Sequence, residues 1–293
     1  MMLYHLLSFF LKLLSRIPFK AMYVLSDGLF YLLYYVVRYR RPLVRKNLTE
    51  SFPEKSEQEI ILIEKKFYHY FTDQVLESCK MATISPEEIS KHMKFTNIEV
   101  ANAVFRQGKT IALYMGHYGN WEWVSSIPLC LEKGVKAVQI YHKLSNENMN
   151  KLILHNRERM GAISVEMRKT ARYVTECVQT KDVSVIGFIA DQSPKKREVR
   201  YFLPFLNHQT PVLIGTEKII KHYGFEAWFL KMKRVKRGYY EAEFVRLYEN
   251  PQTLPELELT AIYYRVLEQM IQEQPELYLW THNRFKHAKK LDA

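Results

Sequence analysis

Beyond residue 95, short apolar runs alternate with stretches whose apolar positions recur every three or four residues. The runs predict strands over 110–115, 136–141, 162–166 and 183–190, the last a β-branched run that stops at Asp191. The periodic stretches predict helices over 120–132, 146–160, 170–180, 210–222 and 256–273. A polar loop is expected before the 210–222 helix, and a hairpin through 227–230 and 239–247. Upstream, Ile60, Ile63, Phe67, Phe71 and Val75 mark an amphipathic helix over 57–81, with Pro53 and Ser56 as its break and cap. Sustained strand–helix alternation predicts an α/β fold, with a mostly parallel central sheet flanked by helices.

Residues 1–41 have a different pattern. They are crowded with Leu, Phe, Tyr and Val and hold six bases and one acid, Asp27. The stretch 21–37 is apolar except at Ser26-Asp27-Gly28, and 3–14 contains Lys12. Neither reaches the run of about 18 uncharged residues that reads as a spanning helix. No basic region precedes the apolar run and no A-x-A site follows it, which excludes a secretory signal. The expectation is one or two helices lying in or shallowly entering a bilayer. Lys12, Arg16, Lys20 and the cluster Arg38, Arg40, Arg41, Arg45 and Lys46 would then face anionic head groups. The alternative is an apolar helical hairpin packed on the protein's own core. No repeat and no Gly/Ser/Pro-rich linker is present, so the expected organisation is a helical, membrane-associated extension over 1–41 and one domain over 42–293.

Composition adds little to the fold and more to the partner. With 293 residues and 47% hydrophobic content, the chain is neither disordered nor a disulfide-stapled miniprotein. Its net charge of +12 predicts attraction to something acidic: an anionic membrane, nucleic acid or an acidic protein. Lys195–Arg200 and Lys231–Arg237 are the basic clusters outside the N-terminus, either solvated faces or docking sites for an acidic partner. Cys79, Cys130 and Cys177 form no CxxC and support neither a disulfide framework nor a zinc site; they read as small buried hydrophobes. No RNA- or DNA-binding motif is visible, and no P-loop, GxGxxG, GxSxG or HExxH occurs.

The densest chemistry is Gly116-His117-Tyr118-Gly119-Asn120-Trp121-Glu122, directly after the 110–115 strand. Ligands of open α/β sheets bind at the carboxyl ends of strands. His117 can serve as a general base and Glu122 as its orienting partner if the histidine sits in the loop and the glutamate in the first turns of a helix. Gly116 and Gly119 would let the backbone turn. The spacing alone is weak: 10 His and 31 acidic residues in 293 positions yield about one such pair by chance, and His287…Asp292 is a second. Asp191-Gln192 ends the clearest strand, as a site residue or a turn cap. Asn156-Arg157-Glu158-Arg159 closes a helix, where bases also meet the helix dipole favourably.

Taken together, GHYGNWE and the closing stretch QPELYLWTHNRFK at 274–286 resemble the bacterial lipid A biosynthesis acyltransferases. The resemblance is to the late, secondary, lauroyl/myristoyl type, within the wider glycerolipid acyltransferases that share an H-x4-D/E motif. Arg41-Pro42, Asn47-Leu48, Ser51-Phe52-Pro53, Ile140-Tyr141, Asn156–Arg159, Ala190-Asp191-Gln192 and Tyr201–Phe205 follow in the expected order. The resemblance implies transfer of a fatty acyl group from an acyl-carrier-protein thioester to a hydroxyl of a lipid A precursor, at the cytoplasmic face of the bacterial inner membrane. It implies no cofactor or metal. His117 would be the base and Glu122 its partner, with Arg157 and Asp191 as further critical positions. Gly116, Gly119, Asn120, Tyr141, Arg159, Gln192 and Arg284 would contact substrate. Backbone N–H groups near 116–120, or Arg157, would stabilise the oxyanion. The chain departs from the family at Tyr141-His142-Lys143, Phe205-Leu206-Asn207 and Asn283, loops suited to reading a head group. Another hydroxylated lipid as acceptor, or a catalytically silent lipid-binding protein, are the alternatives.

Overall fold

In the computed structural model, which describes residues 2–290, Pro18 separates two apolar helices, α1 (Met2–Ser15) and α2 (Phe19–Tyr31). A single π turn, Leu32–Val36, continues α2. Next come α3 (Arg41–Ser51) and α4 (Glu57–Lys80), the latter started by a capping box between Ser56 and Glu59. Three elements that the apolar pattern does not announce follow: α5 (Pro86–His92), β1 (Met93–Thr96) and α6 (Ile98–Arg106). The alternating part then runs β2 (Ile111–Met115), β3 (Lys136–Tyr141), α7 (Glu147–Glu158), β4 (Ile163–Glu166), α8 (Thr170–Gln179) and β5 (Ser184–Ile189). It closes with β6 (Tyr201–Phe205), β7 (His208–Val212), α9 (Gly215–Tyr223), β8 (Glu226–Lys236), β9 (Tyr239–Tyr248), α10 (Glu258–Glu273) and the short β10 (Lys289–Lys290).

The main sheet has the order β1-β9-β8-β2-β5-β3-β4. From β8 to β4 all neighbours are parallel; only the β8–β9 hairpin is antiparallel. All five residues of β2 are buried, as a central strand with covered faces requires. Helix α10 lies on one face, with Tyr263 stacked on Tyr114 at 4.7 Å between ring centres. The chain leaves β2 for β3, beyond β5, and after β5 returns to β8, beyond β2, so both connections start from the carboxyl ends of these two adjacent strands. Ligands of open α/β sheets bind outside such strand ends.

Two expectations fail locally, for reasons visible in the residues. The helix expected over 120–132 is a 3-10 segment, Trp123–Cys130, because Pro128 lies inside it and cannot donate an α-helical hydrogen bond. Where a polar loop and an earlier helix start were expected, β6 and β7 form a hairpin, and α9 begins only at Gly215. Leu206 and Asn207 both take positive φ, at 49° and 60°, as a two-residue hairpin turn demands. Pro204 and Pro211 inside the strands disguise it.

The N-terminal helices have two faces. Inward, Met22, Ser26, Phe30 and Tyr34 are buried, and Ser26 Oγ donates to Asp73 Oδ1 of α4 at 2.7 Å. Outward, Leu6, Phe9, Phe10 and Leu13 are more than half exposed and fall at i, i+3, i+4 and i+7, a helical stripe turned away from the core. No helix among the described residues is long and apolar enough to cross a membrane. The expected basic cluster is also divided. Arg41 and Arg45 turn onto the buried carboxylate of Glu64, and Arg40 donates to the Thr281 carbonyl at 2.8 Å. Lys12, Arg16, Lys20 and Arg38 stay exposed.

Candidate active site

Strands β2 and β5 pair in parallel up to Met115 and Ile189, and both chains then continue past the sheet edge. His117 and Asp191 each lie two residues beyond that last pair, so the two-residue period of strands turns both side chains to the same side. They meet there: His117 Nδ1 lies 2.7 Å from Asp191 Oδ1, and the His117 backbone N–H donates to Oδ2 at 3.2 Å. Asp191 is 2% exposed and His117 19%, so the carboxylate forms the back of the site and the imidazole its open front. Burial pushes the Asp191 carboxyl up, but the His117 charge, its two hydrogen bonds and the Arg284 charge outweigh this and hold it below the usual range. An ionised Asp191 makes Nδ1 the protonated nitrogen and leaves the lone pair on Nε2. Facing Nε2 at 3.2 Å is the side-chain amide of Gln192, and the Trp121 ring lies edge-on to the imidazole.

Glu122 is therefore not the partner of His117, which corrects the pairing read from the spacing. It faces α7 and is gripped by Arg157, whose Nε and Nη2 donate to its two oxygens at 2.8 and 2.6 Å. The two carboxylates have separate cationic or imidazole partners because the β2/β5 register, not distance along the chain, decides which acid stands beside the histidine. The His287…Asp292 pair cannot be compared, since Asp292 lies outside the described residues.

The loop carrying His117 is clamped from both sides. Gly119 N–H donates to the Leu277 carbonyl at 3.0 Å and Leu279 N–H to the His117 carbonyl at 3.1 Å, which joins the closing stretch to the loop as a short antiparallel bridge. On the other side, Tyr70 OH of α4 donates to the Gly119 carbonyl at 2.6 Å. Asn47 amide donates to the Trp280 and His282 carbonyls, so the N-terminal motif holds the closing stretch in turn. Both glycines are needed for close approach. A Cβ on Gly116 would stand 2.7 Å from Leu267 Cδ1, and one on Gly119, at φ 56°, 2.4 Å from Met232 Sδ.

Several residues expected at the substrate do other work. Asn120 is fully buried and donates to Glu77. Arg159 donates to the Met81 and Ile84 carbonyls at the end of α4. Arg284 is 1% exposed and holds Tyr264 OH at 2.9 Å, and Tyr264 holds the Ala190 carbonyl just before Asp191. Its support of the site is thus indirect. Tyr141 ends β3, half-buried at the same sheet edge. The His117 and Gly119 N–H groups are already engaged, so these two are not free oxyanion donors; the Gln192 amide and the Nη1 of Arg157 are side-chain donors beside the pair. No group of three or more His, Cys, Asp or Glu among the described residues could hold a metal ion.

His282 was not anticipated. Its Nε2 accepts the Ser193 N–H at 3.2 Å and so fixes the backbone after Gln192. Burial, against the opposing pull of Asp191, pushes its imidazole down to about 4. The only trace of it in the sequence is its place in the closing stretch.

The basic clusters separate too. Within Lys231–Arg237 the arginines turn inward, Arg234 to Asp73 at 3.0 Å and Arg237 to Asp73 and Asp27 at 2.7 and 2.6 Å. Lys231 and Lys233 pair with Glu273 and Glu241. Apart from exposed Lys236, which lies over the Tyr239 ring, the basic side chains of this cluster are paired within the chain. Lys195, Lys196, Arg197 and Arg200 are exposed on the segment that follows β5 and Asp191.

No curated protein matches the chain. The family model described as bacterial lipid A biosynthesis acyltransferase matches residues 1–287, from the N-terminal helices through the closing stretch that bridges to His117. The imidazole–carboxylate pair at the β2/β5 edge is thus set in a chain that belongs to the bacterial lipid A biosynthesis acyltransferases.

Proposed function

We propose that the protein moves a fatty acyl group from an acyl-carrier-protein thioester to a hydroxyl of a lipid A precursor, as a secondary acylation, with His117 Nε2 as general base. The observation that carries this reading is the oriented imidazole: Nδ1 is tied to buried Asp191 while Nε2 faces the open side with only an amide before it. An alcohol attacks a thioester slowly unless its proton is removed as the new bond forms. The acceptor hydroxyl displaces the Gln192 amide and gives its proton to Nε2 while its oxygen bonds to the thioester carbon. Asp191 stays ionised and stabilises the imidazolium. The Gln192 amide and the Nη1 of Arg157, which Glu122 holds in place, are the donors for the oxyanion. As the tetrahedral intermediate collapses, the C–S bond breaks and the departing sulfur takes the proton from Nε2.

The same proposal places the protein on a membrane surface. The outward stripe of Leu6, Phe9, Phe10 and Leu13, flanked by exposed Lys12 and Arg16, supports insertion of α1 into the head-group region without spanning it. Exposed bases at 195–200 support an acidic partner at the site's edge. One assay tests both parts: turnover of acyl-carrier-protein thioesters against lipid A precursor, run alongside co-sedimentation with anionic vesicles. His117→Ala is expected to lose about 100- to 10,000-fold in turnover while still sedimenting with vesicles. Near-normal turnover in that variant would sink the mechanism, and wild-type protein left in the supernatant would sink the surface placement.

A further inference from the structure

Helix α4 buries three carboxylates, Glu64, Asp73 and Glu77, the last two off the apolar stripe of Ile60, Ile63, Phe67 and Phe71. Two are balanced by arginines, Glu64 by Arg41 and Arg45 and Asp73 by Arg234 and Arg237. Glu77 differs. It is fully buried, and among the described residues no cation pairs with it. Its Oε1 accepts from Tyr23 OH of α2 at 2.9 Å, and its Oε2 accepts from Asn120 Nδ2 and Tyr240 OH, each at 2.8 Å. Burial and the nearby Asp73 charge push its carboxyl up, and those hydrogen bonds with the Arg234 charge offset this only in part. A buried carboxyl without a counter-ion is an expensive group to keep for packing alone.

What it holds is the segment on which the site depends. Asn120, fixed by Glu77, uses its Oδ1 to accept the Trp123 N–H at 3.2 Å. The Glu77 carbonyl accepts from Trp123 Nε1 at 2.9 Å, and Tyr70 on the same helix holds the Gly119 carbonyl. These contacts all fall on residues 119–123, from just after His117 to the first residue of the 3-10 segment, and they bracket Glu122. We infer that Glu77 is a positioning residue: through Asn120 it fixes the loop that carries His117 and Glu122, and through Tyr23 it ties that loop to the N-terminal helix pair. The role rests on the acyltransferase reading given above.

The test uses the full chain with acyl-carrier-protein thioester as donor and lipid A precursor as acceptor. Glu77→Leu removes both acceptor oxygens at similar size and is expected to lower kcat by about 100-fold, the scale of a small misplacement of catalytic groups, with KM nearly unchanged. Glu77→Gln keeps a carbonyl that accepts from Asn120 and Tyr240 and is expected to retain most of kcat. Tyr23→Phe removes one donor and should give a smaller loss than Glu77→Leu. Melting temperatures are measured in parallel. If Glu77→Leu does not fold, Asn120→Ala reads the same link from the loop, with the same kcat loss expected. Wild-type kcat in Glu77→Leu or Asn120→Ala overturns the inference, as does a loss that follows the unfolded fraction alone. His117→Ala serves as the control: if it keeps turnover, the reading beneath fails, whereas its inactivity beside a fully active Glu77→Leu overturns the positioning role only.

Discussion

The molecule holds two polar clusters made from similar groups. At the β2/β5 edge, His117, Asp191 and Gln192 leave one imidazole nitrogen facing outward with a displaceable partner. Between α2, α4 and the β8–β9 hairpin, Asp27, Asp73, Arg234 and Arg237 pair with one another, and Tyr23 and Tyr240 close on Glu77. The first cluster keeps an atom for something outside the chain; the second uses its atoms on itself. Charge and burial do not separate them, since Asp191 and Asp73 are equally buried. The difference lies in whether a polar atom faces outward beside an exposed neighbour, as His117 Nε2 does beside Gln192, or inward onto other groups of the chain.

Changes at the first cluster should act on rate and those at the Asp73 ion pairs of the second on stability, whereas Glu77 reaches the site through Asn120 and should act on rate. The largest effect is expected for Asp191→Asn, which loses the charge that fixes the His117 tautomer and should cost about 10,000-fold in kcat with little change in melting temperature. Glu122→Gln should be milder in kcat if Arg157 is its partner, and a reversed ranking in a steady-state assay would overturn the pairing. At the second cluster, Asp73→Ala leaves the largely buried Arg234 without its anion, while Arg237 keeps Asp27, and should cost about 3 kcal/mol in urea unfolding. A loss near zero would show that Arg234 reaches solvent instead.

The last effect is read against pH and concerns His282. Its imidazole is held down at about 4 in the fold, against about 6.5 when unfolded, so the unfolded chain binds the proton more readily. The stability it contributes is present above pH about 6.5 and is lost as pH falls through about 4. Asp191, held below its ordinary value, titrates lower still. The melting temperature of the wild type should therefore drop more steeply over that window than that of His282→Gln. Parallel curves would remove His282 from the acid response.

How much of this was legible in the sequence depended on the kind of order involved. Strands β2, β3, β4 and β5 stand where apolar runs predict them; β2 is apolar throughout because it is covered on both faces, while β3 and the edge strand β4, only partly buried, admit Lys136, Gln139, Ser164 and Glu166. The β6–β7 hairpin was hidden by Pro204 and Pro211, which signal against strands wherever an edge position is not known in advance. Helix α4 was legible by its cap and apolar face, yet its buried Asp73 and Glu77 were not, since partners on other elements make their burial tolerable. The division at residue 41 has no counterpart in packing: Tyr23, Ser26 and Asp27 reach Glu77, Asp73 and Arg237.

The sequence by itself determined the α/β alternation, the apolar character of the N-terminal helices and the motif around His117, all properties of neighbouring residues; which face of the first helix points outward was decided by packing. The tertiary structure decided which acid serves the histidine. His117 and Glu122 are close in the chain, but a loop can turn either way, whereas parallel strands with a fixed register bring His117 and Asp191 together across 74 positions. It also decided where the positive charge goes, because a charge run shows how many bases there are and not which of them meet Asp27, Glu64 and Asp73.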